Sequence, residues 1–231
     1  MTVDQTFQNG VISGSVSGFV QVLTGHPLDT IKVHLQTTGI YNKGIKHLYR
    51  GMGYPFAATI PTIALQFGIE NTVNKTIKIE NNFIKSFVSG ACTGFLMSPI
   101  MSIVELYKIR RQTFTTSKFP LSLGMVATCM REIPNVSLYF GIYNYASYKL
   151  DYIDYFPRSF ISGGIAGGSS WFFFYPFDVI KSRIQKGECN SIREAFLKGQ
   201  LWKGVGICTL RGIIVNAFGF LALETSKIYI N

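Results

Sequence analysis

Long stretches without a charged residue constrain the fold of this chain most. Residues 5–28 contain no Asp, Glu, Lys or Arg, a run of 24 positions, and three further runs of 19 positions lack them too. These shorter runs are residues 51–69, 86–104 and 159–177. A helix needs about 20 mostly apolar residues to cross a bilayer, where it satisfies its own backbone polar groups. The runs therefore predict membrane-spanning helices.

Two more apolar segments raise the predicted number of spans to six. Residues 119–148 are interrupted by Arg131 and Glu132, and residues 204–226 are interrupted by Arg211. Charged residues make up 15% of the chain and hydrophobic ones 47%, whereas about a quarter of an ordinary globular chain is charged. We therefore predict an all-α integral membrane protein with six transmembrane helices. A soluble all-α protein with unusually apolar helices is the alternative.

The net charge of +10 is distributed unevenly along the chain. The loops after the first, third and fifth spans (residues 28–50, 105–120 and 178–203) contain 14 basic and 5 acidic residues, a net of +9. The remaining segments outside the spans, including both termini, are neutral, and the charges inside the spans add +1. The positive-inside rule places these loops on one face of the membrane and both termini on the other. Nucleic-acid binding would also suit a basic chain, but no aromatic-rich basic cluster accompanies the charge.

A charged motif recurs three times where the first, third and fifth spans end. An acid is followed after three residues by a base and after four more by a glutamine, and successive acids are 76 and 73 residues apart. The acids are Asp29, Glu105 and Asp178, the bases Lys32, Lys108 and Lys181, and the glutamines Gln36, Gln112 and Gln185. This recurrence predicts three helix–loop–helix repeats, covering residues 1–78, 79–151 and 152–231.

Small and aromatic residues repeat with the same period. Each repeat begins with two glycines four residues apart, a spacing that lets membrane helices pack closely. These glycines are Gly14 and Gly18, Gly90 and Gly94, and Gly163 and Gly167. In the second helix of each repeat a phenylalanine follows a glycine by 16 residues. These pairs are Gly51 and Phe67, Gly124 and Phe140, and Gly204 and Phe220. The repeating unit is therefore helix, basic loop, helix.

In two copies a proline, Pro27 or Pro176, stands two residues before the acid. The resulting Pro-x-Asp-x-x-Lys motif closely resembles that of the mitochondrial carrier family, and the resemblance covers essentially the whole chain. It implies a pseudo-threefold barrel of six helices, kinked at the prolines, in the mitochondrial inner membrane with both termini toward the intermembrane space. It also implies a monomeric solute transporter that works by alternating access, and not an enzyme. The second copy departs from the motif, with Ile103 in place of the proline.

The resemblance further implies a ring of ion pairs on the matrix side, with the three glutamines as braces. The implied pairs are Asp29 with Lys108, Glu105 with Lys181, and Asp178 with Lys32. Charges buried in a membrane protein are costly unless they are paired, which explains why both signs would recur together.

A second ring, on the cytoplasmic side, is incomplete in this chain. The third copy keeps its charges as Glu224 and Lys227, whereas the matching positions of the other copies are neutral. These neutral residues are Asn71, Asn74, Asn144 and Ser147. Neutral hydrogen bonds are weaker than charge-assisted ones. We therefore expect the cytoplasm-open state to be favoured.

Two short sequences resemble the family's cardiolipin-binding steps at the start of the even-numbered helices. They are Tyr49-Arg50-Gly51 and Trp202-Lys203-Gly204. A helix N-terminus with a nearby cation suits a lipid phosphate. We expect bound cardiolipin and neither a metal nor another cofactor. The alternative is that these residues are interfacial aromatic and basic anchors.

Charged residues inside spans are candidates for a solute site. Arg131 with Glu132, and Arg211, lie in the fourth and sixth spans, and the first-copy equivalent of the arginines is Ala58, followed by Thr59. The resemblance places the solute contacts at these positions. Two guanidinium groups and one carboxylate give a net charge of +1, which suits a small anionic or zwitterionic metabolite.

The solute could be an amino acid, a nucleotide or a carboxylate, and in the family Arg followed by an acid slightly favours the amino-acid type. Gln66 and Asn216 are expected as neutral polar residues of the site. The alternatives are a nucleotide carrier, a proton-leak carrier, and a membrane scaffold that does not transport.

Overall fold

The computed structural model describes residues 3–38, 45–49, 52–113, 121–185, 189 and 191–230. These residues form eight helices and no strand, and six of the helices are at least 24 residues long. The helices are α1 (Val3–Thr38), α2 (Ile45–Leu48), α3 (Gly53–Thr76), α4 (Asn82–Thr113), α5 (Leu121–Lys149), α6 (Tyr155–Gln185), α7 (Ile192–Leu197) and α8 (Val205–Ile230). The prediction of an all-helical chain is confirmed.

Each predicted span lies within one long helix, except that three of the helices begin one or two residues after the predicted start. The helices α1, α4 and α6 continue beyond the uncharged runs and through the charged motifs. Among the described residues, two segments are long and apolar enough to cross a membrane, Asn82–Val104 and Val205–Ile230, with mean hydropathies of 1.6 and 1.7. The described parts of α1, α3, α5 and α6 are long enough but do not combine as high a hydropathy with as few charges.

Several long helices continue through an internal proline. Pro27 and Pro176 lie inside α1 and α6, and Pro99 lies inside α4. Kinks at Pro27 and Pro176 remain a prediction. The short helices α2 and α7 occupy the first and third basic loops, which leave little room for longer ones. Ser191 caps α7 by accepting a hydrogen bond from the backbone N–H of Glu194 at 3.1 Å.

The long helices pack antiparallel to their neighbours. The most extensive contacts join α1 with α3, α4 with α5, and α6 with α8, and further contacts connect these pairs into a closed cycle through α3–α4, α5–α6 and α1–α8. The hydroxyl of Ser17 in α1 donates to the carbonyl of Gly219 in α8 at 2.9 Å, while Gly25 lies against Val215. The N-terminal end of α1 and the C-terminal end of α8 therefore lie at one end of the bundle, called here the terminus side.

Glycines allow the paired helices to approach backbone to backbone. A Cβ atom on Gly90 would lie 2.7 Å from the carbonyl oxygen of Val136, and one on Gly94 would lie 2.9 Å from that of Glu132. Gly14 and Gly163 meet α3 and α8 in the same way. The close packing predicted from the glycine spacing is present in all three helix pairs.

We expect Gly90→Ala to destabilise the protein by about 1–3 kcal/mol, because the added methyl group overpacks the contact between α4 and α5. The measurement is thermal unfolding of the purified protein in detergent. Gly206→Ala is the matched control, because a Cβ atom there meets no atom within 4 Å and alanine favours a helix. Equal melting temperatures for the two variants would contradict the close packing.

Candidate functional site

The charged residues predicted inside the fourth span belong to a cluster of four side chains from α5 and α6. Arg131 forms an ion pair with its neighbour Glu132, and its Nε lies 3.5 Å from Oδ1 of Asp178. Nζ of Lys181 lies 3.6 Å from Oε1 of Glu132. The cluster thus contains two bases and two acids, which compensate one another.

This cluster is largely shielded from solvent. The side chains of Glu132, Lys181 and Arg131 are 7%, 3% and 13% exposed, whereas that of Asp178, at the edge of the cluster, is 31% exposed. The guanidinium group of Arg131 also lies over the ring of Trp171, 5.6 Å from its centroid, a cation–π contact. Burial of charge is tolerated because each charged group has an opposite charge nearby.

A second charged contact joins α8 to α1. Nε of Arg211 lies 2.6 Å from Oδ1 of Asp29, and Nη2 donates to Oδ2 at 2.9 Å. The Nη2 contact is a charge-assisted hydrogen bond, whereas Nε lies close to the carboxylate without forming a hydrogen bond. The two side chains are 30% and 45% exposed, so the pair is more accessible than Arg131, Glu132 and Lys181.

Two adjacent cavities lie between the helices beside these charged groups. The smaller, of about 160 Å³, is lined by Arg131 and Glu132, and the larger, of about 380 Å³, by Asp29 and Arg211. Ala58 and Thr59 also line the larger cavity. The two cavities share six lining residues, Gln21, Ile63, Gln66, Met101, Trp171 and Asn216. The predicted polar residues Gln66 and Asn216 therefore line both cavities.

The charges around the cavities differ from the sequence expectation. Arg131, Glu132 and Arg211 alone give +1, but Asp29 also lines the larger cavity and pairs with Arg211. These four cavity-lining residues comprise two bases and two acids and have no net charge. The expected net positive site is therefore wrong for these residues, because helix packing brings motif residues into contact with the arginines. A balanced site of this kind suits a zwitterion better than an anion.

An aromatic cluster closes the bundle toward the terminus side. Phe67, Phe140 and Phe220, the phenylalanines that recur after each glycine, are 6%, 2% and 1% exposed. The ring centroid of Phe67 lies 5.6 Å from that of Phe140 and 5.8 Å from that of Phe220, and Tyr143 stacks on Phe220 at 3.6 Å. The smaller cavity ends against Phe67 and Tyr139, whose hydroxyl donates to Asn216 at 2.8 Å. The three even-numbered spans α3, α5 and α8 therefore meet at this level.

The residues at the positions of the predicted cytoplasmic ring make contacts within their own repeat. Lys227 pairs with Glu224 of its own helix at 2.8 Å, and the hydroxyl of Tyr155 donates to Glu224. The neutral Asn71 and Asn144 donate to the carbonyl of Thr6 and the hydroxyl of Ser86, linking the two long helices of a repeat. We expected weak charge pairing to favour an open cytoplasmic side, which the predicted topology equates with the terminus side. The structure has that side closed, because buried aromatic rings pack where ion pairs are missing.

Two residues near the site were not found from the sequence. Trp171 lines both cavities and contacts Arg131, but an aromatic residue in an apolar run gives no signal of its own. Glu70 lies one position before Asn71, and its Oε1 accepts hydrogen bonds from Asn74 at 2.9 Å and Ser89 at 3.3 Å. The sequence did contain a signal for Glu70, because this acid stands one residue before the position at which the family motif has its acid.

The matrix ring and its braces remain a prediction. Each implied pair includes one side chain outside the described residues, namely that of Lys108, Glu105 or Lys32. The side chains of Gln36, Gln112 and Gln185 lie outside them as well. The described members Asp29, Asp178 and Lys181 contact Arg211, Arg131 and Glu132.

The predicted lipid sites are described in part. Arg50 and Gly51 lie outside the described residues. Gly204 has a φ of +92°, which favours glycine, and the hydroxyl of Tyr175 donates to the carbonyl of Lys203 at 2.7 Å. Cardiolipin binding there remains a prediction. Within the described part of the chain, no three His, Cys, Asp or Glu residues are grouped as metal ligands.

Comparisons with known proteins agree on one family. The family model described as mitochondrial carrier protein matches residues 3–42 and 154–231, just over half of the chain. The mitochondrial substrate carrier family protein L of Dictyostelium discoideum is 32% identical over 92% of this chain and 92% of its own length. A mitochondrial arginine transporter of Arabidopsis thaliana is 27% identical over 93% of this chain and 89% of its own length. The mitochondrial basic amino acids transporter of Bos taurus is 28% identical over 94% of this chain and 91% of its own length.

Proposed function

The chain belongs to the mitochondrial carrier family, and we propose that it transports an amino acid with a cationic side chain across the mitochondrial inner membrane. The charge-balanced site carries this proposal. Arginine side chains bind a carboxylate in a two-point geometry, and carboxylates accept ammonium or guanidinium groups. The site offers both kinds of group beside one cavity, at Arg211 and Asp29. Two relatives are named as transporters of arginine or basic amino acids, which supports the cationic side chain.

We further propose that the six long helices span the membrane as a pseudo-threefold barrel of three repeats, residues 1–78, 79–151 and 152–231. The cycle of helix contacts and the three antiparallel pairs support this arrangement. The +9 charge of the odd-numbered loops supports an orientation with both termini toward the intermembrane space. The working unit in this proposal is a monomer with bound cardiolipin and no catalytic activity.

Alternating access would use the two ends of the bundle as gates. In this conformation the aromatic cluster closes the terminus side, while the larger cavity extends to Asp29 and Pro55, near the loop ends of α1 and α3. The cavity therefore reaches toward the side that the charge distribution assigns to the matrix. The opposite state requires the rings of Phe67, Phe140 and Phe220 to separate.

The other solute classes fit the site less well. A nucleotide carries several negative charges and has no cation to offer to Asp29. A proton-leak carrier needs a carboxylate available for protonation, whereas Glu132 and Asp29 are each paired with an arginine. A scaffold that does not transport gives no reason for four charged residues lining the cavities.

Uptake by proteoliposomes tests the proposal. The purified protein is reconstituted, the vesicles are loaded with an unlabelled solute, and entry of the same labelled solute is followed for arginine, lysine, ADP and malate in turn. We expect saturable exchange of arginine and lysine at rates well above those of ADP and malate. Exchange of ADP or malate without exchange of either amino acid would contradict the proposed substrate. No exchange of any solute would contradict transport.

A further inference from the structure

The ion pair between Asp29 and Arg211 lines the larger cavity, whereas no residue of the buried cluster does. Its side chains are 45% and 30% exposed, and both line the cavity. Asp178 occupies the equivalent motif position in the third repeat, but it is not among the residues lining either cavity. Among the described residues, the carboxylate that lines the larger cavity is that of Asp29. A solute in this cavity can reach Asp29 without breaking the buried cluster.

Space for a cationic group lies in the same cavity. Ala58 occupies the position at which the other repeats have Arg131 and Arg211, and its small side chain lines the cavity with Thr59 and Thr62. The first repeat therefore leaves open the volume that a third arginine would fill. A solute guanidinium group is chemically the same as the one that this arginine would supply.

We propose, on the basis of the function proposed above, that Asp29 determines specificity by binding the cationic side chain of the solute in place of Arg211. Asp29 already binds one guanidinium group, accepting a hydrogen bond from Nη2 of Arg211 at 2.9 Å, so its carboxylate suits the arginine side chain. Arg211, released from Asp29, binds the carboxylate of the solute. One internal ion pair is exchanged for two pairs with the solute, so neither Asp29 nor Arg211 is left without a partner, and the α-ammonium group of the solute faces neutral polar residues such as Gln66.

The alternatives to a cationic side chain leave this exchange incomplete. An anion can take Arg211 but leaves Asp29 without a cation. An amino acid with a neutral side chain leaves the guanidinium-binding geometry of Asp29 unused. Arginine and citrulline are the matched probes, because both have the same charged backbone groups and citrulline has a neutral urea in place of the guanidinium group. A charge-assisted pair at Asp29 should favour arginine by at least roughly tenfold.

The test is calorimetric binding of arginine, lysine and citrulline to the purified wild-type protein and to three variants. We expect Asp29→Asn to lower the ratio of arginine affinity to citrulline affinity to about one. Asp178→Asn, the same change at the equivalent motif position, should keep the wild-type ratio. Asp29→Glu keeps the charge but displaces the carboxylate by one methylene group, so it should retain preference over citrulline while its preference for arginine over lysine falls. If Asp29→Asn fails to fold, the affinity ratios of Asp29→Glu still test whether Asp29 binds the cationic side chain.

The outcomes separate the two proposals. Wild-type protein that binds neither arginine nor lysine contradicts the proposed function. Wild-type protein that prefers arginine, with Asp29→Asn keeping that preference, contradicts the role of Asp29 alone. Loss of the preference in Asp178→Asn to the same extent as in Asp29→Asn also contradicts it, because the effect would then not depend on the cavity-lining carboxylate. Wild-type affinity ratios for all three solutes in Asp29→Glu would contradict a contact that depends on the position of the carboxylate at residue 29.

Discussion

Phe220→Ala is expected to lower the free energy of unfolding by about 3–5 kcal/mol, because it removes the most central ring of the aromatic cluster. Phe220 is 1% exposed, stacks on Tyr143, and contacts Phe67 edge to face. The resulting void would lie where α3, α5 and α8 meet, so the remaining rings lose packing partners on three helices. Thermal unfolding with a thiol-reactive dye measures the effect, since Cys189 and Cys208 are buried in the folded protein.

Phe218→Ala is the matched control for this experiment. Phe218 lies on the same helix two residues away, and it is 39% exposed. It makes one edge-to-face contact, with Phe160, so we expect a loss of about 1 kcal/mol. Equal destabilisation by the two substitutions would contradict closure of the terminus side by aromatic packing.

Glu132→Gln is expected to destabilise the protein by about 3 kcal/mol, because it removes a carboxylate that two buried bases share. Arg131 keeps its contact with Asp178 at 3.5 Å, but Lys181, 3% exposed at its side chain, loses the carboxylate 3.6 Å from Nζ. Thermal unfolding in detergent reports the loss. The double variant Glu132→Gln with Lys181→Met should be more stable than Glu132→Gln alone, because it also removes the buried charge that has lost this carboxylate.

Asp151→Asn is the surface control for the buried cluster. Asp151 pairs with Arg158, but its side chain is 80% exposed, and such pairs contribute about 0–1 kcal/mol. We therefore expect a melting temperature close to that of the wild-type protein. A Glu132→Gln variant as stable as Asp151→Asn would contradict the view that the cluster is a compensated group of buried charges.

The helices were predictable because their signal is local. An uncharged run of about 20 residues is readable without knowledge of its neighbours, and each such run lies in a long helix of the structure. The glycine pairs were predictable in the same way, since they repeat at the positions where helices touch. The helix boundaries were less predictable, because α1, α4 and α6 continue through polar motifs that hydropathy assigns to loops.

The arginines of the site were predictable, but their partners were not. Arg131 and Arg211 stand out as charges in apolar segments. Their pairing with Asp178 and Asp29 depends on the rotation and axial position of four helices, which determine which carboxylate is in reach. The sequence pattern pointed to the aspartates as members of a separate ring. Net charge at the site could therefore not be read from the residues inside the spans alone.

Closure of the terminus side also could not be predicted from the sequence alone. The spacing of Phe67, Phe140 and Phe220 was visible as a repeat, but a recurring apolar residue in a membrane helix can face lipid as readily as the interior. The charge motif was the readable feature, and its loss in two copies suggested a weak gate. Packing of the three rings at one level depends on all three helices at once, so it became evident from the structure.

Uptake of labelled arginine by proteoliposomes containing wild-type protein or Arg211→Ala tests the central claim most directly, which is that the charged cavity is the solute site. The vesicles are loaded with unlabelled arginine, and thermal unfolding verifies that both proteins are folded. The claim predicts rapid exchange by the wild-type protein and an initial rate lower by roughly tenfold or more in Arg211→Ala, because the carboxylate of the solute loses its guanidinium partner. Rates in the folded variant equal to those of the wild-type protein would contradict it.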